Sequence, residues 1–369
     1  MTPIRVAFLV NGTPDGVEAV RALGLSRKLD PERIFFLYRE RSRLASAWRW
    51  SRVLLKVRPD IHYVLNTAMP GAMVALLGRF LFGIPYILDT GDAIHAMACR
   101  SGTKAGWRLP LLWSLERLAE RFAEAVVVRG TNHREHLVAR GLRRVIVIRD
   151  GYLEQPSASP DALEALRHRL GLDGRFVVGV MGSLVYSPNL DICYGWDLLG
   201  ALVYLKDLPV TALIIGDGNG LRWLSQLASK LGVADRVVFC GRIPYSEVPT
   251  HLRLMEVALS TQTNNLPGQV RTTGKLPEYM AAERFILASR VGEAALLLPE
   301  IMLLDFNQEV DRDYPARLAE RIRLLQLQPA LLEARHALPV LARQECSYDF
   351  LSSRLKWVLD ETLRARKGK

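Results

Sequence analysis

The sequence predicts an α/β protein of two doubly wound domains, each with a parallel sheet, and three observations carry that prediction. Short, nearly continuous apolar strands alternate with helical stretches along the 369 residues, the pattern of βαβ units whose sheets are covered on both faces. A Pro- and Ser-rich run, QPSASPD from Gln155 to Asp161, divides the alternation into two series. In the second series glycine or a polar turn follows most strands, which places ligand-binding loops beyond their carboxyl ends.

The first series reads IRVAFLV, RIFFLYR, IHYVL, PYILD, AVVVRG and RVIVIRDG. Its opening segment reads as a strand, because it lacks the longer apolar stretch and small-residue cleavage site of a secretory leader. Ser42 to Arg58 has the spacing of an amphipathic helix. Leu44, Ala47, Trp48, Ser51 and Leu55 form a stripe expected to be buried, while Arg49, Arg52 and Lys56 share a neighbouring face. With Trp48 and Trp50 close by, that basic flank suits either solvent or an anionic membrane surface. Gly71 to Leu88 is apolar enough to suggest a membrane span, but Arg79, Gly83 and Pro85 interrupt it. A helix followed by a buried strand is expected there instead. The second series reads FVVGVMG, TALIIG, RVVFCG, VALST, FILAS and IMLLDF, and the chain ends in helices, the last within LSSRLKWVLDETLRARKGK. The expected divisions are residues 1–160, 161–345 and a terminal helix over 346–369.

Hydrophobic residues at 49% and charged residues at 24% are ordinary for a globular protein. The formal charge of +11 favours anionic partners such as nucleotide diphosphates, lipid pyrophosphates or a membrane surface. No helix-turn-helix, zinc-finger or aromatic RNA-binding signature accompanies it, which argues against nucleic acid. Cys99, Cys193, Cys240 and Cys346 are far apart and read as reduced, buried thiols of a cytoplasmic protein.

The richest chemistry lies in RTTGK. Arg271 and Lys275 are cations, Thr272 and Thr273 supply hydroxyls, and Gly274 leaves room for a ligand against the backbone. A helix is expected to start near Lys275 with Pro277 in its first turn, so two cations and a positive helix end converge on what suits a diphosphate. Glu278, one turn in, is placed to accept hydrogen bonds from ribose hydroxyls. Gly216, Asp217 and Gly218 of GDGNG, the backbone near Arg242 and Ile243, and Gly182 and Ser183 lie in turns after strands of the same series and read equally as plain turns; the resemblance given below implies that they face the nucleotide donor. In the first half, Asn11, Gly12 and Gly16 of NGTPDG, Asp92 and His95 of LDTGDAIHAM, and His133 of RGTNH follow strands and are candidates for acceptor or sugar contacts. Helix capping or an ordinary βα turn explains these positions as well, and NGTPDG does not match GxGxxG. No His, Cys, Asp or Glu cluster has metal-ligand spacing, so neither a metal nor a resident cofactor is expected.

GDGNG with the run to VALST, and KLPEYMAAERFILAS after it, resemble the donor half of glycosyltransferase family 4, the two-domain GT-B type. GIPYILDTGD, ERLAERFAEAVVVRGTNH and VIVIRDGYLEQ resemble its first half more loosely. The resemblance implies two Rossmann-like domains facing a cleft, with the terminal helix returning to the first domain. It implies transfer of a sugar from a nucleotide-diphosphate donor to a hydroxyl acceptor, retaining and metal-independent, with Arg271 and Lys275 stabilising the departing diphosphate. Two positions depart from the pattern. Val270 stands where many members carry a glutamate eight positions before the one matching Glu278, and GSLVYSPNLD lacks the Arg and Lys many members have after the first strand of that domain. A lipid-linked sugar acceptor in surface polysaccharide or glycolipid assembly, reached at the inner face of the cell membrane, fits the basic charge. A non-catalytic nucleotide-sugar-binding subunit and a nucleotide-sugar epimerase of similar fold are the other readings open at this point.

Overall fold

In the first strand, VAFLV, every residue is buried, and successive side chains feed two different cores. Val6, Phe8 and Val10 join one and Ala7 and Leu9 the other, as a strand covered on both faces requires. The computed structural model describes residues 4–67, 69–100, 106, 108–155 and 158–367. Pro156 and Ser157 of the Pro/Ser linker and Gly368 and Lys369 of the basic tail lie outside the described residues.

The chain divides into two units. One runs to Leu153 and takes in Val270–Thr272 and the stretch from Glu345 onward; the other comprises Glu154–Gln269 and Thr273–Gln344. In the first, β1 (Val6–Val10), β2 (Ile34–Tyr38), β3 (Ile61–Leu65), β4 (Tyr86–Thr90), β5 (Ala125–Val128) and β6 (Val145–Val147) alternate with α1 (Val17–Ser26), α2 (Arg43–Val57), α3 (Gly71–Phe82), α4 (Ile94–Arg100), α5 (Arg108–Phe122) and α6 (Thr131–Ala139). The strands form a parallel sheet in the order β2-β1-β3-β4-β5-β6. No helix among the described residues is long and apolar enough to cross a membrane; the apolar stretch after Gly71 folds as α3 followed by buried β4.

Two readings of the sequence are corrected here. The buried stripe of α2 is Ser46, Trp50 and Leu54, while Leu44, Trp48 and Leu55 are exposed. Trp50 goes inward because its indole Nε1 donates to the Tyr38 carbonyl at 3.2 Å, which removes the cost of burying that N–H. Ser46 follows for the same reason, accepting from Glu40 N at 2.9 Å and donating to Ser42 O at 2.8 Å. Cys99, read with the other cysteines as buried, is exposed; none of the four cysteines is in a disulfide.

The second unit begins with α7 (Pro160–Arg169) and β7 (Phe176–Met181), then an antiparallel hairpin of β8 (Tyr186–Ser187) and β9 (Ile192–Cys193) that the sequence did not foretell. It continues through α8 (Trp196–Leu202), β10 (Val210–Ile215), α9 (Leu221–Lys230), β11 (Val237–Gly241), α10 (Val248–Arg253), β12 (Val257–Ser260), α11 (Leu266–Val270), α12 (Lys275–Ala281), β13 (Phe285–Ser289), α13 (Ala294–Leu297), β14 (Leu303–Leu304), α14 (Tyr314–Leu327) and α15 (Leu338–Cys346). Its parallel sheet has the order β11-β10-β7-β12-β13-β14. The chain winds outward from β7 in both directions, so the point where the order reverses lies beside the end of β7. The last helix, α16 (Tyr348–Lys367), returns to the first unit. Leu351, Leu355, Val358 and Leu359 enter the core around α1, and Gly24 is bare where the Tyr348 ring lies: a Cβ there would stand 2.4 Å from it.

Candidate functional site

The turns after β7, β10 and β11 are fastened to one another through the backbone. Gly182 N donates to Ile215 O at 3.0 Å, Gly216 N to Gly241 O at 2.8 Å, and Leu184 N to Asp217 O at 3.0 Å. Only glycine fits at Gly216, where φ is 138° and a Cβ would fall 1.9 Å from Gly182 O. The same holds at Gly218, whose Cβ would meet Leu184 O at 2.2 Å. This close packing explains the glycines of GDGNG, and it leaves Ser183 and Asp217 exposed at the surface of the turns. Asp217 Oδ1 accepts from the next residue's N–H at 2.7 Å, an Asx turn.

Lys275 opens α12 beside that surface. Its Nζ lies 3.3 Å from the centroid of the Tyr194 ring, and a Cβ on Gly182 would stand 3.9 Å from it. The ammonium is therefore held against an aromatic face at the end of β7, a contact that strengthens as water is removed. Tyr194 is itself fixed, its hydroxyl donating to Leu259 O at 2.6 Å, and burial pushes its ionisation well above the usual range. Beneath them Asp197 is buried with Oδ2 accepting from the Thr261 hydroxyl at 2.5 Å, while Oδ1 has no hydrogen-bond partner. Burial raises its pKa, and Thr261, nearby backbone N–H groups and the Lys275 charge pull against that rise.

Glu278, one turn into α12, accepts a hydrogen bond from the Tyr245 hydroxyl at 2.5 Å. Burial pushes its carboxyl up to about 7, with Tyr245 pulling the other way. Gly274 caps the helix with open space where a side chain would be, and Thr273 O accepts from Leu276 N at 3.0 Å. Arg242 is exposed and Ile243 half-buried after β11.

The first unit places its candidates differently. Arg271 groups with this unit, and its Nε donates to Asp92 Oδ1 at 2.8 Å; Thr272 beside it has a buried hydroxyl with no hydrogen-bond partner. His95 lies in the first turn of α4, its Nε2 3.6 Å from Cys99 Sγ. The buried Glu116 carboxylate caps that turn, accepting from Ile94 N at 2.9 Å and His95 N at 3.2 Å. His133 on α6 is buried, and loss of solvation lowers its pKa to about 4, so the imidazole is neutral. Asn11 uses its amide to bind the sheet at the β1/β3 reversal: Nδ2 donates to Leu65 O at 3.1 Å and Asn66 O at 2.6 Å, and Oδ1 accepts from Gly71 N at 3.0 Å. Gly12 is bare opposite Glu18, and Gly16 precedes α1 with an extended backbone.

Below these turns lies a buried ion cluster. Arg21 Nη2 and Asp89 Oδ2 are 2.9 Å apart, Arg21 also donates to Ile148 O and Arg149 O, and Tyr63 donates to Asp89. Arg129 adds weaker pairings with Asp89 and Asp150 at 3.6 and 3.4 Å. Asp89, within β4, is fully buried.

Two family descriptions match this architecture: a glycosyl transferase 4-like domain over residues 4–151, and glycosyl transferases group 1 over residues 175–325. Together they cover most of the chain. The chain carries a glycosyl transferase 4-like domain followed by a glycosyl transferases group 1 domain. It is 27% identical over 253 residues to the 2-deoxystreptamine glucosyltransferase of Streptomyces kanamyceticus, covering 66% of this chain and 61% of that one. It is 41% identical over 100 residues to a GDP-mannose-dependent alpha-(1-6)-phosphatidylinositol monomannoside mannosyltransferase of Mycolicibacterium smegmatis, covering 27% of this chain and 25% of that one. In both cases the match spans less than two thirds of the relative's length. The fold resembles that of Anabaena Alr3699/HepE, solved with UDP-glucose, with a TM-score of 0.78 at 18% identity over 97% of this chain and 100% of that one. The fold of this glycosyltransferase-family chain is thus the GT-B type of two Rossmann-like units.

Sequence reading missed three side chains: Tyr194 and Asp197 beside Lys275, and Tyr245 on Glu278. Tyr245 sits in the IPYSE segment just after Arg242 and Ile243, near enough to have been considered. Tyr194 and Asp197 lie in ICYGWD, where no motif or periodicity marks them.

Proposed function

We propose that this chain transfers a sugar from a nucleotide-diphosphate donor to a hydroxyl acceptor, with retention at the anomeric carbon and without a metal. The observation that carries the reading is Lys275 Nζ, held 3.3 Å over the Tyr194 ring at the end of β7, where the sheet order reverses and open α/β sheets bind ligands. The anomeric C–O bond to the diphosphate breaks, the acceptor oxygen bonds to the same carbon, and the hydroxyl proton passes to the departing diphosphate. Negative charge grows on the diphosphate as that bond lengthens, and Lys275 stabilises it more in the transition state than in the ground state. Arg271, which pairs with Asp92, is proposed as the second cation once that pair opens, and His95 and Asp92 as contacts to sugar or acceptor. Glu278 with Tyr245 is proposed to hold the ribose hydroxyls. The donor is a substrate, and no resident cofactor is invoked.

Retention is supported by the family likeness, and metal independence by Lys275, the cation proposed to take the leaving-group role that a metal plays elsewhere. The acceptor proposed is a lipid-linked sugar in surface polysaccharide or glycolipid assembly, supported by the formal charge of +11. A binding-only subunit is favoured by one observation: Val270 is buried and apolar, so no carboxylate faces the sugar from that position.

The test is a thermal-shift and mass-spectrometric screen against UDP-, GDP-, ADP- and dTDP-sugars with and without EDTA, run beside Lys275→Ala. One donor should stabilise the protein and release its nucleotide slowly whether or not EDTA is present. Lys275→Ala should lower turnover about 100-fold, roughly 3 kcal/mol of barrier, at unchanged melting temperature. Binding without any turnover selects the non-catalytic reading, and an epimerised donor selects the epimerase.

A further inference from the structure

Helices α2, α3 and α5 lie side by side on one face of the first sheet. Trp50 and Leu54 of α2, Ala72, Val74 and Ala75 of α3 and Ala119 of α5 share one core, and Phe80 of α3 meets Phe122 of α5 edge to face with ring centroids 4.8 Å apart. Their outer sides are apolar as well. Leu44 and Trp48 of α2 are 69% and 65% exposed, Phe80 and Leu81 of α3 62% and 68%, and Trp113 and Leu118 of α5 46% and 47%. Ordinary surfaces scatter such residues singly; a run of them across three adjacent helices marks an interaction surface.

The charges on those helices say what covers it. The α2 segment RLASAWRWSRVLLKV and the α3 segment GAMVALLGRFLF contain no acid, and the two acids of α5, Glu116 and Glu120, are buried. The same helices carry Arg43, Arg52, Lys56, Arg117 and Arg121, together with Arg49 and Arg79, which pair with Glu40 at 3.0 Å and Glu124 at 2.7 Å. Two of these cations sit over the exposed indoles, Arg52 at 4.6 Å from the Trp48 ring and Arg117 at 5.5 Å from the Trp113 ring. Indole paired with guanidinium suits a headgroup region, where the ring enters the apolar boundary and the cation reaches lipid phosphate. A second copy of the chain would bring like charges together across the same face.

We propose that the α2–α3–α5 face of the first unit docks on an anionic lipid bilayer, with the indoles and the exposed end of α3 entering the headgroup layer. This names a surface by which the chain would reach the membrane that holds the proposed lipid-linked acceptor, and it stands independently of the transfer chemistry, which is read from Lys275 and Glu278.

The full chain is mixed with vesicles of phosphatidylcholine alone or containing phosphatidylglycerol, and binding is followed by co-sedimentation at low and high salt. Binding is expected to the anionic vesicles only and to weaken with salt. Trp48→Ser with Leu81→Ser should reduce it at least tenfold, and Arg52→Gln with Lys56→Gln roughly fivefold per charge removed, all at unchanged melting temperature and unchanged donor stabilisation. Equal partition onto both vesicle types, or retention of binding by the apolar double variant, overturns the proposal. So does a concentration-dependent dimer in light scattering that the same substitutions abolish, which would assign the face to a second copy. Donor stabilisation measured in the same samples keeps a failure here separate from a failure of the transferase reading.

Discussion

Replacing Glu278 with glutamine should stabilise the protein while weakening its hold on nucleotide, and pH should separate the two effects. Burial lifts the Glu278 carboxyl from its ordinary value of 4.5 to about 7. Between those values the folded chain binds a proton that the unfolded chain has released, so this group's contribution to stability is full below 4.5 and is lost as pH rises toward 7. The whole traverse corresponds to about 3 kcal/mol at most. Glutamine keeps the shape and an acceptor for the Tyr245 hydroxyl but carries no charge to desolvate. At pH 8 the variant should therefore melt several degrees above the parent, by roughly 2–4 °C per kcal/mol, and at pH 4.5 the two curves should meet. Affinity for the nucleotide of the preferred donor should run the other way: about tenfold weaker than the parent at pH 8, where the parent carboxylate can accept from two ribose hydroxyls, with the gap closing toward pH 5. Thermal melts from pH 4.5 to 8.5 at constant ionic strength, with calorimetric titrations at both ends, measure both. A stability difference independent of pH would refute the burial argument, and equal affinities at pH 8 would remove Glu278 from the ribose site.

Two further expectations concern other buried groups. Tyr194→Leu removes the ring beneath Lys275 and should lower turnover at least tenfold with a smaller change in donor KM, whereas Tyr194→Phe, which keeps the ring and loses the hydroxyl's bonds to Leu259 O and Tyr279, should restore most of it; equal losses in both variants would assign the effect to the hydroxyl and remove the ring from the argument. His62 and His133 are held neutral by burial, at about 4, so the unfolded chain takes up protons that the fold refuses as pH falls from 6.5 toward 4, and stability drops across that window by about 3 kcal/mol per histidine at most. His62→Leu should flatten the acid limb of the melting curve, and an unaltered limb would place the acid sensitivity elsewhere.

The sheets were legible because buried parallel strands leave a continuous apolar signature. IRVAFLV and FVVGVMG announce strands without reference to anything distant, and the glycines after Ile215 announce turns whose packing the structure explains through Gly182 O. The RTTGK segment was expected to bring two cations together; Lys275 Nζ lies beside Gly182 at the end of β7, whereas Arg271 groups with the first unit and pairs with Asp92. What stayed hidden is pairing between residues far apart in sequence. Nothing near Arg271 marks Asp92 as its partner, 179 positions away, and nothing in ICYGWD marks Tyr194 as the platform for Lys275. Asn11 follows β1 and Asp89 lies near the end of β4, positions where binding residues occur, yet their polar groups are consumed in bonds to Leu65 O and Gly71 N, or to Arg21 and Tyr63. A buried polar side chain that completes its own hydrogen bonds looks, in sequence, the same as one reserved for a ligand.

Helix α2 shows how far periodicity can mislead, and what the error reveals. Two stripes compete on it, Leu44-Trp48-Leu55 and Ser46-Trp50-Leu54, and apolar content favours the first. The structure buries the second, because Trp50 and Ser46 find backbone partners at Tyr38, Glu40 and Ser42 while the outer stripe has none to gain. Hydrophobic spacing reports that a face is apolar; it does not report whether sheet or lipid lies against it. On α2 the inner face is closed by a serine, a hydrogen-bonded indole and one leucine. The richer apolar face is left outside among cations, an arrangement that costs free energy in water and that the proposed docking on an anionic bilayer would relieve.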